Sequence, residues 1–316
     1  MNKDAKIYVA GHSGMVGSAV VRCLYAHGYN NLVLCTSKEL DLTRQVDVEY
    51  FFNEKKPEFV FLAAARVGGI MANNTYRAEF IYTNILIQSN VIHSAWKTGV
   101  KKLLFFSSSC VYPRECPQPM KKEYFWTGKL ETTNKPYAVA KLSGMAMCQA
   151  YNDQYFTNFI SVVPTNLYGE NDNYDPEQSH VMAALIDKFH RAKIENNPTV
   201  TLWGTGTPRR ELMYVDDVAD AALFLMLNYA GNDPVNIGLG EDSTIRELAE
   251  VVCEIVDYQG DILFDASKPD GVPQKLLDMS NLHSMGWKAR TPLRQGLTKA
   301  YDWYLKSPFA PRSKQN

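Results

Sequence analysis

The sequence predicts an α/β protein: a doubly wound parallel sheet followed by a smaller mixed domain. Three observations carry this. Short apolar runs alternate with longer helical patterns through the first half, a glycine-rich stretch joins the first run to the first helical pattern, and the alternation gives way to turn-rich sequence after Pro164.

Taken in order, residues 7–10, 32–34, 59–63, 103–107 and 159–163 read as strands. They are rich in Val, Leu, Ile and Phe and lack polar alternation, as strands covered on both faces do. Residues 15–27, 45–54, 73–97 and 137–153 read as helices between them, so the connections are crossovers of a parallel sheet. Residues 165–179, rich in Asn, Gly, Pro and Asp, read as a loop that leads into a helix. Beyond it, 199–203 reads as a strand, 204–210 as turns, 215–227 as a helix and 235–237 as a short strand; the last two can return to the main sheet. Residues 244–257 and 292–305 are the clearest patterns of the smaller domain, and 307–316 reads as a frayed tail.

Composition narrows the classes. Lysine and arginine number 33 against 34 aspartate and glutamate, a net charge of -1. That is no basic footprint for a phosphate backbone, so a nucleic-acid partner is not expected. The six cysteines, Cys23, Cys35, Cys110, Cys116, Cys148 and Cys253, form no CxxC pair, and HExxH is absent. Neither a zinc site nor a disulfide framework is indicated, and reduced cytoplasmic thiols are expected. The start, MNKDAKIYVAG, runs straight into a strand without a signal-peptide core. The longest apolar runs, 59–65 and 221–227, fall far short of the roughly twenty residues a membrane span needs.

Gly11-His12-Ser13-Gly14-Met15-Val16-Gly17 follows the first strand and opens the first helix. Glycines there let the backbone turn tightly and approach a pyrophosphate at the positive end of the helix. The context makes this a Rossmann-type dinucleotide site. An NAD site carries an acid about twenty residues on to hold the ribose 2′-hydroxyl. Here that stretch is Leu34-Cys35-Thr36-Ser37-Lys38, and its first acid is Glu39. Ser13, Ser37 and Lys38 can donate to a 2′-phosphate, so NADP(H) is the expected cofactor. The competing reading makes Lys38 a solvated loop charge and gives the ribose to Glu39.

Tyr137 and Lys141 stand one turn apart, about 5–6 Å at Cβ, on one helix face. A phenol ionises near 10, and a neighbouring ammonium favours the phenolate, making proton exchange with a carbonyl oxygen feasible. Ser107-Ser108-Ser109 ends the fourth strand, at the carboxyl edge where such sheets bind ligands, and Ser108 can hydrogen-bond the same oxygen. YxxxK alone also describes a packed tyrosine beside a solvated lysine. The glycine loop and the serines together favour chemistry.

GxxGxxG, the serine after the fourth strand and YxxxK resemble those of the extended short-chain dehydrogenase/reductases. Within them, AGHSGMVGSA (10–19), LAAARVGGIMANNTY (62–76), SSSCVYP (107–113), PYAVAK (136–141), PTNLYG (164–169), SHV (179–181), WGTGTPRRE (203–211) and FDASKPDG (264–271) resemble the GDP-4-keto-6-deoxy-D-mannose 3,5-epimerase-4-reductase family. These stretches run through nearly the whole chain.

The resemblance implies two stages on a GDP-linked 4-keto sugar: inversion at C3 and C5, then hydride delivery from NADPH to C4. It gives Tyr137 the proton for the C4 oxygen, with Ser108 bonding that oxygen and Lys141 supporting Tyr137. Cys110 and His180 match the base and acid of the inversions. Read alone, Cys110 is a small buried residue at a strand end and His180 a loop or N-cap histidine. A thiol with a lowered pKa suits carbon-acid chemistry, and an imidazole can return a proton near neutrality. Further cofactor contacts are implied at His12, Met15, Val16, Asp41, Leu42, Ala64, Lys141, Pro164, Asn166, Leu167 and His180. Substrate contacts are implied at Lys188, Trp203, Arg210 and Asp270, with Lys275 for the diphosphate. Arginine is common in the family at the position of Ser13 and expected at that of Lys188, where one fork becomes a point charge.

The implied division is residues 1–165 with about 214–239 for NADP, and about 166–213 with 240–316 for substrate. The implied assembly is a homodimer through helices near 73–97 and 141–153. Ser108-Ser109-Cys110 lacks the acids of a 4,6-dehydratase. An NAD-retaining 4-epimerase would want an acid after the second strand, and a non-catalytic cofactor sensor could have lost Tyr137 or Lys141. A related substrate, such as a GDP-4-keto-6-deoxyheptose, stays open.

Overall fold

The computed structural model describes residues 1–175, 179–268 and 270–311. The first half contains β1 (Ile7–Ala10), α1 (Met15–Ala26), β2 (Leu32–Val33), α2 (Gln45–Lys55), β3 (Phe59–Leu62), α3 (Ile70–Thr75), α4 (Arg77–Lys97), β4 (Lys102–Phe106), α5 (Lys135–Tyr155) and β5 (Phe159–Pro164). Then come β6 (Asn166–Tyr168), α6 (Val181–Ile194), β7 (Thr199–Trp203), β8 (Arg209–Arg210), β9 (Leu212–Tyr214), α7 (Val215–Asn228) and β10 (Val235–Ile237). The chain closes with β11 (Ser243–Thr244), α8 (Ile245–Val256), β12 (Asp261–Asp265), β13 (Gln274–Lys275), α9 (Ser280–Ser284) and α10 (Leu293–Lys306).

The main sheet runs β10-β5-β4-β3-β1-β2, all parallel. Its strands are apolar on both faces because helices cover both: α1 packs with α7, and α4 packs with both α2 and α5. Lys102, in a strand otherwise filled by Leu and Phe, is buried because its ammonium donates to the carbonyls of Leu225 and Met226 at 3.0 and 2.7 Å. Those carbonyls lie in the last turn of α7, at its negative end. Strand order reverses at β1, which lies between β2 and β3, so the crevice beyond their carboxyl ends is where the topology opens.

A second core gathers Tyr168, Phe189, Leu212, Leu248 and Tyr304 from β6, α6, β9, α8 and α10. Among the described residues, three small sheets accompany it: β11-β8-β13, β12-β7 and β6-β9. β10 returns to that main sheet beside β5.

Three expectations need correction. The helix expected over 73–97 breaks at Tyr76 (φ -101°, ψ 41°) into α3 and α4. Asn73 donates its side-chain amide to the carbonyls of Gly68 and Gly69 at 2.6 and 3.1 Å, the kind of local bonding that competes with a helix. The loop expected over 165–179 contains β6, which pairs with β9 in a register from Asn166 opposite Leu212 to Tyr168 opposite Tyr214. The stretch 204–210, read as turns, ends in β8. The tail expected to fray reaches outside the described residues from 312 onward, as does residue 269 of the FDASKPDG stretch.

Candidate active site

The glycine loop shows which glycine serves which purpose. Gly11 adopts φ +82°, and a Cβ there would meet the backbone of Ala64 at 2.7 Å, so β1 and β3 approach too closely for any side chain. A Cβ on Gly17 would lie 2.0 Å from the Gly11 carbonyl oxygen, which seats α1 on the loop. Gly14 is different: a Cβ there would find only that same oxygen, at an ordinary 3.6 Å. The protein's own packing does not require glycine at 14. No side chain caps α1, so its first-turn N–H groups face this space unpaired, as an anion site needs. His12 lines the loop with its buried Nδ1 unpartnered.

At the end of β2, Glu39 folds back, its carboxylate accepting from the Thr36 N–H and hydroxyl at 2.8 Å each. These bonds hold it below the usual carboxylate range. Ser37 and Lys38 are exposed beside it, and Ser13 is exposed at the loop. Asp41 accepts from Thr43, while the carbonyl of buried Leu42 accepts from Asn90 of α4. These residues fit a phosphorylated ribose better than a bare diol. Pro164 ends β5, with Asn166 and Leu167 following in β6.

The reactive side chains converge where β4 ends. Ser108 caps the turn Ser109–Val111, accepting from the Cys110 N–H. Its hydroxyl also acts on the Cys110 thiol and the Tyr137 phenol, favouring the ionised form of each. Tyr137 lies in the first turn of α5, which carries Pro136 as its second residue. Lys141, one turn on, is 3% exposed and donates to the Phe106 carbonyl at 2.8 Å. Its ammonium sits 4.8 Å from the Phe105 ring and 5.8 Å from the Tyr137 ring. Burial lowers Lys141 to about 8 and raises the phenol of Tyr137, an effect the neighbouring Cys110 adds to. Burial also raises the Cys110 thiol, opposed by the Ser108 hydrogen bond and by the charges of Lys275 and Lys141.

Cys110 and Lys275 line one cleft together with Tyr112, Arg114, Gln118 and Glu131. Parallel pairing of β13 with β8 sets Lys275 opposite Arg210. Two cations on neighbouring strands repel, and burial lowers both, so this pair is a place for an anion. Glu211 holds the arrangement from behind: it is wholly buried and accepts from the N–H groups of Leu239, Gly240 and Leu277 at 2.5, 2.8 and 2.9 Å.

His180 is the N-cap of α6, as its sequence position allows, and its ring makes no cap bond. Its surface is open to solvent while protein encloses it on the longer scale, which holds the imidazole below its ordinary value. Lys188, further along α6, donates to the Thr201 carbonyl at 3.1 Å. Trp203 is 64% exposed at the end of β7 and has the Lys268 ammonium 5.9 Å from its ring, so it is no core aromatic. Asp270 has both carboxylate oxygens engaged by the Thr205 N–H and hydroxyl, at 2.9 and 2.8 Å, and shapes the turn beside Trp203.

Sequence reasoning passed over Glu211 and Phe80. Phe80 meets Tyr137 edge-on at 6.3 Å and carries the Arg66 guanidinium 5.6 Å from its ring. Neither has a motif of its own. Only Glu211's place directly after two arginines hinted at a role.

The crevice at the strand reversal, the open space at Gly14 and the Ser–Tyr–Lys set define a dinucleotide-dependent α/β protein of the short-chain dehydrogenase type. The chain belongs to the NAD dependent epimerase/dehydratase family, which it matches over residues 7–238. It is 56% identical to GDP-L-fucose synthase 1 of Arabidopsis thaliana, over 97% of this chain and 95% of that one. It is 48% identical to GDP-L-fucose synthase of Escherichia coli strain K12, over 96% of this chain and 97% of that one. A GDP-mannoheptose C4 reductase from Campylobacter jejuni, solved with NADP bound, superimposes with a TM-score of 0.88 at 42% identity, covering 96% of this chain and 99% of that one.

Proposed function

We propose that this chain catalyses the NADPH-dependent 3,5-epimerisation and 4-reduction of GDP-4-keto-6-deoxy-D-mannose to GDP-L-fucose. The observation that carries the proposal is the placement of the Ser108 hydroxyl, which favours the ionised form of both the Cys110 thiol and the Tyr137 phenol. A group suited to carbon acids therefore stands directly beside a group suited to a carbonyl oxygen. A simple alcohol dehydrogenase needs only the second.

In this reading the C4 carbonyl oxygen lies against Ser108 and Tyr137. Cys110, as thiolate, takes a proton from each of C3 and C5, whose acidity comes from that carbonyl, and releases it to solvent between the two inversions. Burial raises the thiol, and Ser108, Lys275 and Lys141 oppose that rise. Ser108 and Tyr137 hold the enolate oxygen, and His180 returns a proton to the other face of each carbon. The glycine loop would hold NADPH, which when bound would supply hydride chemistry at C4. Tyr137 then protonates the oxygen, with Lys141 beside it. Arg210 and Lys275 take the diphosphate, Trp203 and Asp270 the nucleoside side of the cleft, and Lys188 a further phosphate contact.

The two cores divide this work: residues 1–165 with about 214–239 hold the cofactor, and about 166–213 with 240–316 hold the sugar nucleotide. The missing acid after β2 and the Glu39–Thr36 bonds support NADPH over NADH. We place the protein in the cytoplasm, without nucleic-acid or membrane partners, as a homodimer through α4 and α5. Exposed Tyr82 and the stacked pair Trp96–Tyr155 (4.2 Å) on those helices support that face. Light scattering after gel filtration tests it, a monomer at working concentration being the contrary result.

Likeness to the C4 reductase from C. jejuni favours one second reading, in which a GDP-4-keto-heptose is reduced without inversion. Offering both keto sugars with NADPH and identifying products by NMR separates the readings. A fucose product supports the first, and heptose reduction without fucose formation overturns it.

A further inference from the structure

His180 stands on a helix end that has no cap bond from its own side chain, so something else must fix where the imidazole points. The segment leading to it, Gly169 to Asp175, is held at both ends. At one end it meets the cofactor helix: Glu170 pairs with Arg22 at 3.3 Å, and Asn171, in the left-handed region at φ +62°, donates its amide to the Ser18 hydroxyl at 3.0 Å. At the other end Tyr174, 2% exposed, is packed among three aromatic rings from the C-terminal part of the chain. Its ring lies 6.1 Å from Trp303, 4.7 Å from Tyr304 and 6.0 Å from Phe309. The Asp175 carbonyl then accepts from the Ser179 N–H at 2.9 Å, one residue before His180.

The same C-terminal rings grip α6. Tyr304 is wholly buried and donates its hydroxyl to Asp187 at 2.8 Å, and Asp187 also receives the Arg191 guanidinium at 2.7 Å. Asp187 immediately precedes Lys188. α10 and residues up to Phe309 therefore touch the His180 segment on one side and the helix that His180 begins on the other. Among the described residues, Tyr174, Trp303 and Tyr304 of the box lie in or against the second core, whereas Tyr137 packs against the first.

We propose that Tyr174, clamped by Trp303, Tyr304 and Phe309, is a positioning residue for His180, so that the C-terminal segment governs the inversions at C3 and C5 but not the reduction at C4. This rests on the proposal that His180 returns the proton to carbon. Aromatic packing supplies rigidity here because interior rings interdigitate closely and cannot shift singly. A displacement of about 1 Å at a reacting group can cost roughly 100-fold in rate.

The test uses the full chain with GDP-4-keto-6-deoxy-D-mannose in heavy water without NADPH, reading deuterium at C3 and C5 by NMR. Alongside it, NADPH affinity is measured by fluorescence and C4 reduction by NADPH oxidation. Tyr174→Ala is expected to slow exchange roughly 10- to 100-fold while NADPH affinity and C4 reduction stay close to wild type. Tyr174→Phe, which keeps the ring, should exchange at the wild-type rate. Phe309→Ala repeats the measurement from the other side of the box and stands in for Tyr174→Ala if that variant does not fold. Exchange at the wild-type rate in the folded variants overturns the inference, and so does an equal loss of exchange, cofactor affinity and reduction, which marks general damage. His180→Asn separates the two layers. If it abolishes exchange while Tyr174→Ala does not, the clamp is wrong and the role of His180 stands; if it exchanges normally, the role of His180 fails first.

Discussion

Ser108, just past the end of β4, acts on Tyr137 in the first turn of α5, its hydroxyl favouring the phenolate against the effect of burial. Tyr137→Phe removes the phenolic proton and leaves the ring against Phe80. General acid catalysis typically contributes 10²–10⁴-fold, and C4 reduction is expected to fall by about that much while NADPH still binds. Single-turnover NADPH oxidation measures it; near-normal turnover places the proton donor elsewhere.

Lys141 sets the alkaline limit of that reduction. Burial lowers it to about 8, against an ordinary lysine value of about 10.4, so its ammonium is present below about 8 and lost as pH rises through it. The rate of C4 reduction in the free enzyme, read as kcat/KM, should therefore decline above about pH 8. A profile flat to pH 10 contradicts this assignment.

Two neighbouring glycines should fail differently. Gly17→Ala drives a methyl into the Gly11 carbonyl, and overpacking of this kind costs about 1–3 kcal/mol, so thermal unfolding should come several degrees early. Gly14→Ala has room in the protein and a permitted backbone (φ -82°, ψ 172°), so stability should hold while NADPH affinity drops. Thermal melts and cofactor titration of both variants check the contrast. Normal cofactor binding by Gly14→Ala argues against a pyrophosphate at this loop.

Cofactor choice follows from the end of β2. With Glu39 tied to Thr36 and Lys38 exposed beside it, kcat/KM should favour NADPH over NADH, and Lys38→Glu should narrow or reverse the preference by repelling a 2′-phosphate. Equal values in the wild type contradict the assignment.

Much of this was legible in the residues. Apolar runs without alternation located the five early strands to within a residue or two, because parallel strands are buried on both faces. The return of 235–237 to the sheet could be read the same way. The spacing of Tyr137 and Lys141 gave their shared helix face. What the sequence hid lies in two-residue strands such as β8 and β13, too short to carry a period. Their pairing is what sets Lys275 opposite Arg210 and beside Cys110. The break at Tyr76 was masked by continuous helical patterning on either side. Asp270 read as a ligand-binding acid, but a glance at sequence could not reveal that Thr205 engages both its oxygens.

The central claim is that one cleft holds two separable chemistries, and proton exchange without cofactor tests it most directly. In heavy water without NADPH, the wild type should place deuterium at C3 and C5 of GDP-4-keto-6-deoxy-D-mannose. Cys110→Ser keeps the shape but replaces a thiol, which burial raises here, with a hydroxyl far more weakly acidic still and unfit to serve as base, so it should not exchange. Given NADPH, the same variant should still reduce C4, yielding a product uninverted at C3 and C5. Deuterium entering at the wild-type rate in Cys110→Ser would show that Cys110 is only a packed residue and that the proposed inversion mechanism is wrong.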